Sequence, residues 1–111
     1  MVRELNDHGL EERVLESDGL VAVAFLDFGS IPCDHFRPEL DGVAEMLGGK
    51  VSFFKIDVTE NPTITEELGV QAVPTLLVFR DGEEIARYEG PYSREALNDR
   101  ITQLLAGKPP G

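Results

Sequence analysis

Apolar runs alternate with amphipathic stretches along the whole chain. Three short runs are rich in apolar residues, at residues 20–26, 51–58 and 73–79. Runs of this kind are typical of strands that are covered on both faces of a sheet. We therefore predict three central strands there, with an edge strand at residues 2–5 and a last strand at residues 84–88.

Four other stretches carry apolar residues at helical spacing. Asparagine, aspartate and serine side chains suit the start of a helix, and glycine suits its end. The predicted starts are Asn6 or Asp7, Ser30, Asn61 and Ser93, and the first three helices are predicted to end at Gly19, Gly48 and Gly69. The last helix is predicted to bury Leu97, Ile101, Leu104 and Leu105.

The order of these elements predicts the class of fold. Strands that are joined through helices pair in parallel, which applies to the early part of the chain. The last two strands are separated only by residues 80–83, and Asp81-Gly82 within them is typical of a tight hairpin turn. The pattern therefore predicts an α/β domain with a mixed sheet.

The charge balance limits the kinds of partner. The 111 residues include 10 Lys and Arg against 21 Asp and Glu, a net charge of −11. Nucleic-acid binding requires basic patches, so we expect no nucleic-acid partner. The apolar runs are too short for a membrane span, so we expect no membrane association either.

Cys33 is the one cysteine of the sequence, so no disulfide can form within the chain. This is typical of a reducing compartment, and the first residues lack the apolar stretch of a secretory signal. We therefore expect a cytoplasmic location. Cys33, Asp34 and His35 are consecutive and do not share a helical face, so we expect no metal site and no cofactor.

Three segments of the chain, taken in order and with their spacing, resemble the thioredoxin family over about residues 2–106. They are residues 21–25 with Gly29-Ser30-Ile31-Pro32-Cys33 and residues 36–40; residues 55–58 with 61–62 and 68–70; and residues 73–76 with Phe79, residues 81–82 and Gly90.

The resemblance implies a thioredoxin fold of three layers, with a central mixed sheet of four to five strands flanked by helices. Residues 1–106 would form this domain. Residues 107–111 include two prolines, which do not continue a helix, and are expected to be a flexible tail.

The chemistry of the family uses two cysteines, three residues apart at the start of a helix. The first attacks a target disulfide, aided by the helix dipole, and the second resolves the mixed disulfide. By the resemblance, Ser30 stands at the first position and Cys33 at the second. A serine hydroxyl without a neighbouring base is not a nucleophile at neutral pH, so we expect no complete dithiol turnover.

Other positions depart from the redox pattern of the family. Gly29 stands where a tryptophan is common, and Ala24 stands where a buried carboxylate assists proton transfer, although its partner lysine survives as Lys55. Asp34 places a negative charge beside Cys33, which disfavours the thiolate. Cys33 is then either an inert buried side chain or a slow thiol that forms mixed disulfides.

Ser30 has two explanations. Either it is native, or it replaces a cysteine of a parent protein. The departures at Ala24, Gly29 and Asp34 favour a native serine, because drift at several catalytic positions is expected once turnover is lost.

The resemblance also implies a substrate groove that needs no thiol. It predicts a cis peptide bond between Val73 and Pro74, beside which the backbone pairs with an extended substrate segment. The residues expected to line this groove are Gly29, Ile31, Pro32, Val73, Pro74 and Gly90.

Two functions of different class follow. The first is a thioredoxin-like protein of thiol–disulfide exchange and cell redox homeostasis, impaired by Ser30. The second is a non-catalytic peptide-binding, chaperone or adaptor module that uses the groove, so whether the chain is an enzyme stays open. The expected partner is a protein that presents an extended segment, with a thioredoxin reductase as a second candidate, and we expect the chain to be a monomer.

Overall fold

A computed structural model describes residues 2–15 and 18–107. Within these ranges the elements follow one another in the predicted order. They are β1 (Arg3–Glu4), α1 (Asp7–Leu15), β2 (Leu20–Leu26), α2 (Ile31–Met46), β3 (Val51–Asp57), α3 (Pro62–Glu67), β4 (Thr75–Arg80), β5 (Glu83–Glu89) and α4 (Arg94–Leu105).

The strands form one sheet in the order β1-β3-β2-β4-β5. β2 lies at its centre, where Leu20 is opposite Val51 of the parallel strand β3 and opposite Arg80 of the antiparallel strand β4. All of β2 is buried, as its apolar run predicts. β1 pairs with β3 in parallel, and β5 pairs with β4 antiparallel, which confirms the prediction of a mixed sheet.

Helices cover both faces of the sheet and complete three layers. On one face, Phe36 of α2 and Leu97 of α4 pack in a cluster with alternate residues of β2 such as Ala24. On the other face, Leu10 of α1 packs with the intervening residues of β2, of which Val23 is one. Burying a side chain as large as Phe36 or Leu97 contributes about 2 kcal/mol, so these two clusters hold the layers together.

The hairpin between β4 and β5 has the predicted turn. Asp81 and Gly82 have φ values of 51° and 84°. Positive φ at both central residues gives the turn a twist that matches the two strands, and Asp-Gly tolerates it well.

The structure corrects two details of the predicted elements. β4 begins at Thr75 rather than at Val73, because Pro74 has no N–H to donate to a strand ladder. Leu105 is 37% exposed, whereas Leu104 is buried. Successive helical residues are rotated by about 100°, so Leu105 turns away from the stripe that Leu97, Ile101 and Leu104 form.

Part of the sequence predictions falls on residues that the structure does not describe. Except for Gly107, the predicted tail lies outside the described residues. No helix within residues 2–15 and 18–107 is long and apolar enough to cross a membrane.

Candidate functional site

Residues 27–33, called here the 27–33 loop, comprise the connection from β2 (residues 27–30) and the first three residues of α2. Asp27 shapes it, because its side-chain oxygen Oδ1 accepts a hydrogen bond from the N–H of Gly29 at 3.0 Å. The carbonyl oxygen of Asp27 accepts a second one from the N–H of Ser30, also at 3.0 Å. These bonds turn the chain directly from the end of a central strand into the first turn of α2.

Ser30 is the N-cap of α2. Its backbone is extended, with φ −94° and ψ 147°, and its Oγ accepts a hydrogen bond from the N–H of Cys33 at 3.4 Å. Pro32 lies in the first helical turn, where a missing N–H leaves no bond unmade. The structure therefore gives Ser30 the capping role that the sequence predicted for it.

Cys33 is fully buried, and its thiol points into the protein. The Sγ atom lies 3.3 Å from the backbone N of Asp27, which donates a hydrogen bond to it. Cys33 belongs to the core cluster between the sheet and helices α2 and α4. This arrangement holds the sulfur away from solvent, behind the 27–33 loop.

Lys55 of β3 is paired with Ala24 of β2 in the sheet. The methyl side chain of Ala24 carries no charge that could pair with the lysine. Its Nζ instead lies 5.9 Å from the centre of the Phe28 ring. The guanidinium of Arg37 packs over the same ring at 4.3 Å. Two cations thus pack against one aromatic side chain of the 27–33 loop, an arrangement that the sequence analysis did not find because no sequence spacing links these three residues.

A second turn, residues 72–75, called here the Pro74 turn, leads into β4 and ends on its first residue. The peptide bond between Val73 and Pro74 is cis. The carbonyl oxygen of Pro74 accepts a hydrogen bond from the N–H of Gly90 at 2.8 Å, and the hydroxyl of Thr75 donates one to the carbonyl of Ala72 at 2.6 Å. Gly90 has a φ of 103°, which a glycine adopts without strain.

The sheet brings these two segments together at one end of the neighbouring strands β2 and β4. Phe25, near the end of β2, is opposite Thr75, at the start of β4, so the 27–33 loop and the Pro74 turn lie side by side. Phe28 and Val73 both pack against the core cluster that contains Cys33. Ile31, at the same end of the sheet, is 70% exposed to solvent.

The residues that the sequence analysis considered as metal ligands beside Cys33, namely Asp34 and His35, do not form a metal site. Asp34 and His35 are exposed residues of the first turns of α2. No group of histidine, cysteine, aspartate or glutamate residues in the described part of the chain is arranged to hold a metal ion.

Comparison with known proteins agrees with this architecture. The family model for thioredoxin matches residues 1–103. A thioredoxin of Rickettsia felis is 33% identical over 105 residues, which cover 95% of this chain and 100% of that protein. The chloroplastic thioredoxin M4 of Arabidopsis thaliana is 35% identical over 104 residues, which cover 94% of this chain and 54% of that protein.

A solved structure extends the agreement to the fold. The crystal structure of chloroplastic thioredoxin z superposes with a TM-score of 0.87 and 29% identity, covering 96% of each chain. The chain belongs to the thioredoxin family. The family resemblance and the thioredoxin fold predicted from the sequence are confirmed.

Proposed function

We propose that this chain is a thioredoxin-family protein of thiol–disulfide exchange and cell redox homeostasis in which Ser30 occupies the position of the attacking cysteine, so that it does not complete dithiol turnover. One observation carries the proposal. The N-cap of α2 is a serine, while the thiol of Cys33 one turn later is fully buried.

The chemistry of exchange explains why this matters. A thiolate attacks one sulfur of a disulfide, forms a new S–S bond and expels the other sulfur as a thiolate; a second thiol then repeats the step and releases the reduced target. No described lysine, histidine or carboxylate hydrogen-bonds to Ser30 Oγ, which accepts the capping hydrogen bond from the N–H of Cys33. An alcohol in that setting does not replace the attacking thiolate.

Restoring the first thiol is the direct test. Ser30→Cys should reduce insulin disulfides with dithiothreitol as the electron donor, whereas the native chain should not exceed the background rate of dithiothreitol. The new thiol would lie at the start of a helix, where the dipole favours the thiolate. The double variant Ser30→Cys, Cys33→Ser is the matched control, because it retains the attacking thiol but lacks the resolving one.

The activities of these variants decide whether the proposed function holds. Activity in Ser30→Cys that is lost in the double variant supports the proposal. Turnover by the native chain above background, or no turnover by a folded Ser30→Cys, contradicts it.

A second function is favoured by the exposed surface that Ile31 and the Pro74 turn form. Ile31 is 70% exposed beside the Pro74 turn, and the hydrogen bond between Gly90 and Pro74 holds the backbone of that turn. Such a surface suits an extended segment of a partner protein, which binds through backbone hydrogen bonds without a thiol. In this reading Gly29, Ile31, Pro32, Val73, Pro74 and Gly90 contact the segment, and Lys55 is a relic of proton transfer.

Binding that does not depend on the thiol would identify this second function. We expect the reduced insulin B chain to shift the backbone NMR signals of Ile31, Val73 and Gly90 equally in the native chain and in Cys33→Ala. The signals of Met46, which is exposed on α2, serve as the internal control. Loss of binding in a folded Cys33→Ala would favour a thiol-dependent function instead. A cytoplasmic location and a monomeric state remain part of the proposal.

A further inference from the structure

The side chain of Phe28 spans the space between helix α2 and strand β3. The guanidinium of Arg37, on α2, lies 4.3 Å from the centre of the Phe28 ring, and Nζ of Lys55, on β3, lies 5.9 Å from it. Phe28 is half-buried and packs against the core cluster that contains Cys33. The ring therefore closes the gap between the helix and the sheet on one side of that cluster.

Cys33 lies on the inner side of this gap. Cys33 and Arg37 are four residues apart on α2, so they lie on the same face of the helix, one turn from each other. Lys55 is paired with Ala24, a buried residue of the same core cluster as Cys33. The helix and the sheet thus both place the two cations, and the ring between them, next to the surroundings of the thiol.

The 27–33 loop places Phe28 beside the thiol as well. Asp27, directly before Phe28, donates its N–H to Sγ of Cys33 at 3.3 Å. Because Cys33 is fully buried, a dissolved disulfide reaches Sγ only after a covering group has moved. Phe28 is half-buried, so its ring can move outward without displacing the fully buried residues of the core.

The contacts that hold the ring in place are weak. Cation–π contacts at partly exposed positions contribute little, and Lys55, at 5.9 Å, lies near their outer limit. The Nε atom of Arg37 is buried and has no hydrogen-bond partner among the described residues. A buried polar group without a partner destabilises the arrangement that buries it, and outward movement of the ring would let water reach that group.

We propose that Phe28 is a lid on Cys33, which opens in the folded protein and controls when the thiol exchanges with a disulfide. With the lid open, Cys33 gives its proton to the buffer and the thiolate attacks one sulfur of the disulfide. A new S–S bond forms, and the other sulfur leaves as a thiolate. The lid regulates the thiol of the site described above, so it rests on the proposed function.

The test follows the reaction of Cys33 in the full chain with dithionitrobenzoate, an aromatic disulfide that releases a coloured thiolate as it reacts. This reaction requires one thiol and no turnover, so it is independent of the insulin assay. If Cys33 behaves as a lidded thiol while Ser30→Cys stays inactive, the lid stands and the proposed function fails. If Ser30→Cys is active and no lid is detected, only the lid is overturned.

Urea separates opening of the lid from unfolding of the whole chain. Unfolding exposes Cys33 in proportion to the unfolded fraction, which falls steeply as urea is removed. Opening of a single side chain exposes little surface and depends only weakly on urea. We expect the labelling rate without urea to be at least about tenfold above the rate that the unfolded fraction allows. A rate no greater than that value would overturn the proposal.

Paired aromatic variants identify the lid. Phe28→Ala should raise the labelling rate by at least about tenfold after correction for any change in the unfolded fraction. Tyr92→Ala is the matched control, because Tyr92 is also half-buried and packs against the same core cluster, and its corrected rate should stay unchanged. If Phe28→Ala does not fold, Phe28→Leu should still give a rise of about threefold. Equal rates in the Phe28 and Tyr92 variants would contradict the assignment of the lid to Phe28.

A second pair of variants tests the cation. Arg37→Ala should raise the corrected rate by about twofold to fivefold, because it removes the guanidinium that packs on the Phe28 ring. Loss of a nearby positive charge by itself disfavours the thiolate, so a rise in rate reports movement of the lid. Arg100→Ala is the control, since Arg100 packs on the ring of Tyr92 at 5.5 Å. No rise in Arg37→Ala, or an equal rise in Arg100→Ala, would overturn the proposal.

Discussion

Ser30 and Ser93 each begin a helix and accept a hydrogen bond from the N–H three residues later. The two bonds differ in length. Ser30 Oγ lies 3.4 Å from the N of Cys33, and Ser93 Oγ lies 3.1 Å from the N of Ala96. Hydrogen bonds near the upper limit of length are weak, so the same residue type should contribute less at the functional site than at a purely structural helix start.

Replacing each serine by alanine measures this difference. We expect Ser93→Ala to lower the free energy of unfolding by about 1 kcal/mol, and Ser30→Ala by about 0.5 kcal/mol, since helix caps are worth about 0.5–2 kcal/mol. Urea unfolding followed by circular dichroism gives both values. A larger loss in Ser30→Ala than in Ser93→Ala would contradict the ranking.

Helices α2 and α4 are tied together by Glu39 and Arg94. One carboxylate oxygen of Glu39 accepts from the backbone N–H of Arg94 at 2.9 Å, and the other from its guanidinium at 3.2 Å. These hydrogen bonds hold the pKa of Glu39 below its ordinary value. Gly42 makes room for the contact, because a Cβ there would lie 2.5 Å from the guanidinium carbon of Arg94.

The hydrogen bonds between Glu39 and Arg94 predict how the stability of the fold depends on pH. A carboxyl group whose pKa is lowered by folding stabilises the protein above its unfolded pKa, about 4.5, and that contribution is lost as the pH falls through the folded pKa. The loss of stability in Glu39→Gln should therefore be largest near pH 7 and shrink below about pH 4.5. Urea unfolding at pH 7 and pH 3 measures it.

Asp41→Asn is the control, because Asp41 is exposed on the same helix. If both variants show the same change between the two pH values, the tie between Glu39 and Arg94 does not carry the effect. The effect should be small, since both side chains of the pair are partly exposed, at 37% for Arg94 and 31% for Glu39.

At the scale of the whole molecule, the net charge of −11 on 111 residues is the dominant electrostatic property. Like charges repel one another across the folded surface, and the unfolded chain relieves that repulsion by expanding. The ion pairs of Glu84 with Arg87 and of Glu39 with Arg94 offset it locally.

Added salt should therefore stabilise the fold. Raising the concentration of sodium chloride from about 0.02 M to about 0.5 M shortens the screening length well below 10 Å and should raise Tm by a few degrees. Calorimetry measures the change. The double variant Glu12→Lys, Glu45→Lys, whose net charge is −7 because each substitution adds two positive units, should show a smaller rise. A fall in Tm with salt would contradict the prediction.

The sequence by itself determined the elements and their order. Apolar periodicity, the serine caps and the Asp81-Gly82 turn act over a few residues, so each can be read from a short stretch of chain. For the same reason the sequence placed Ser30 and Cys33 in one turn of a helix. Both details that failed, the start of β4 and the orientation of Leu105, lie at the ends of elements, where periodicity is least informative.

The tertiary structure alone decided what surrounds these residues. Phe28 packs against Arg37 and Lys55, and the N–H of Asp27 meets the sulfur of Cys33. The free edge of β5 also depends on which strand ends the sheet. These arrangements follow from strand order and packing between distant parts of the chain. No local pattern encodes them, because each partner is brought into place by elements that lie far from it in sequence.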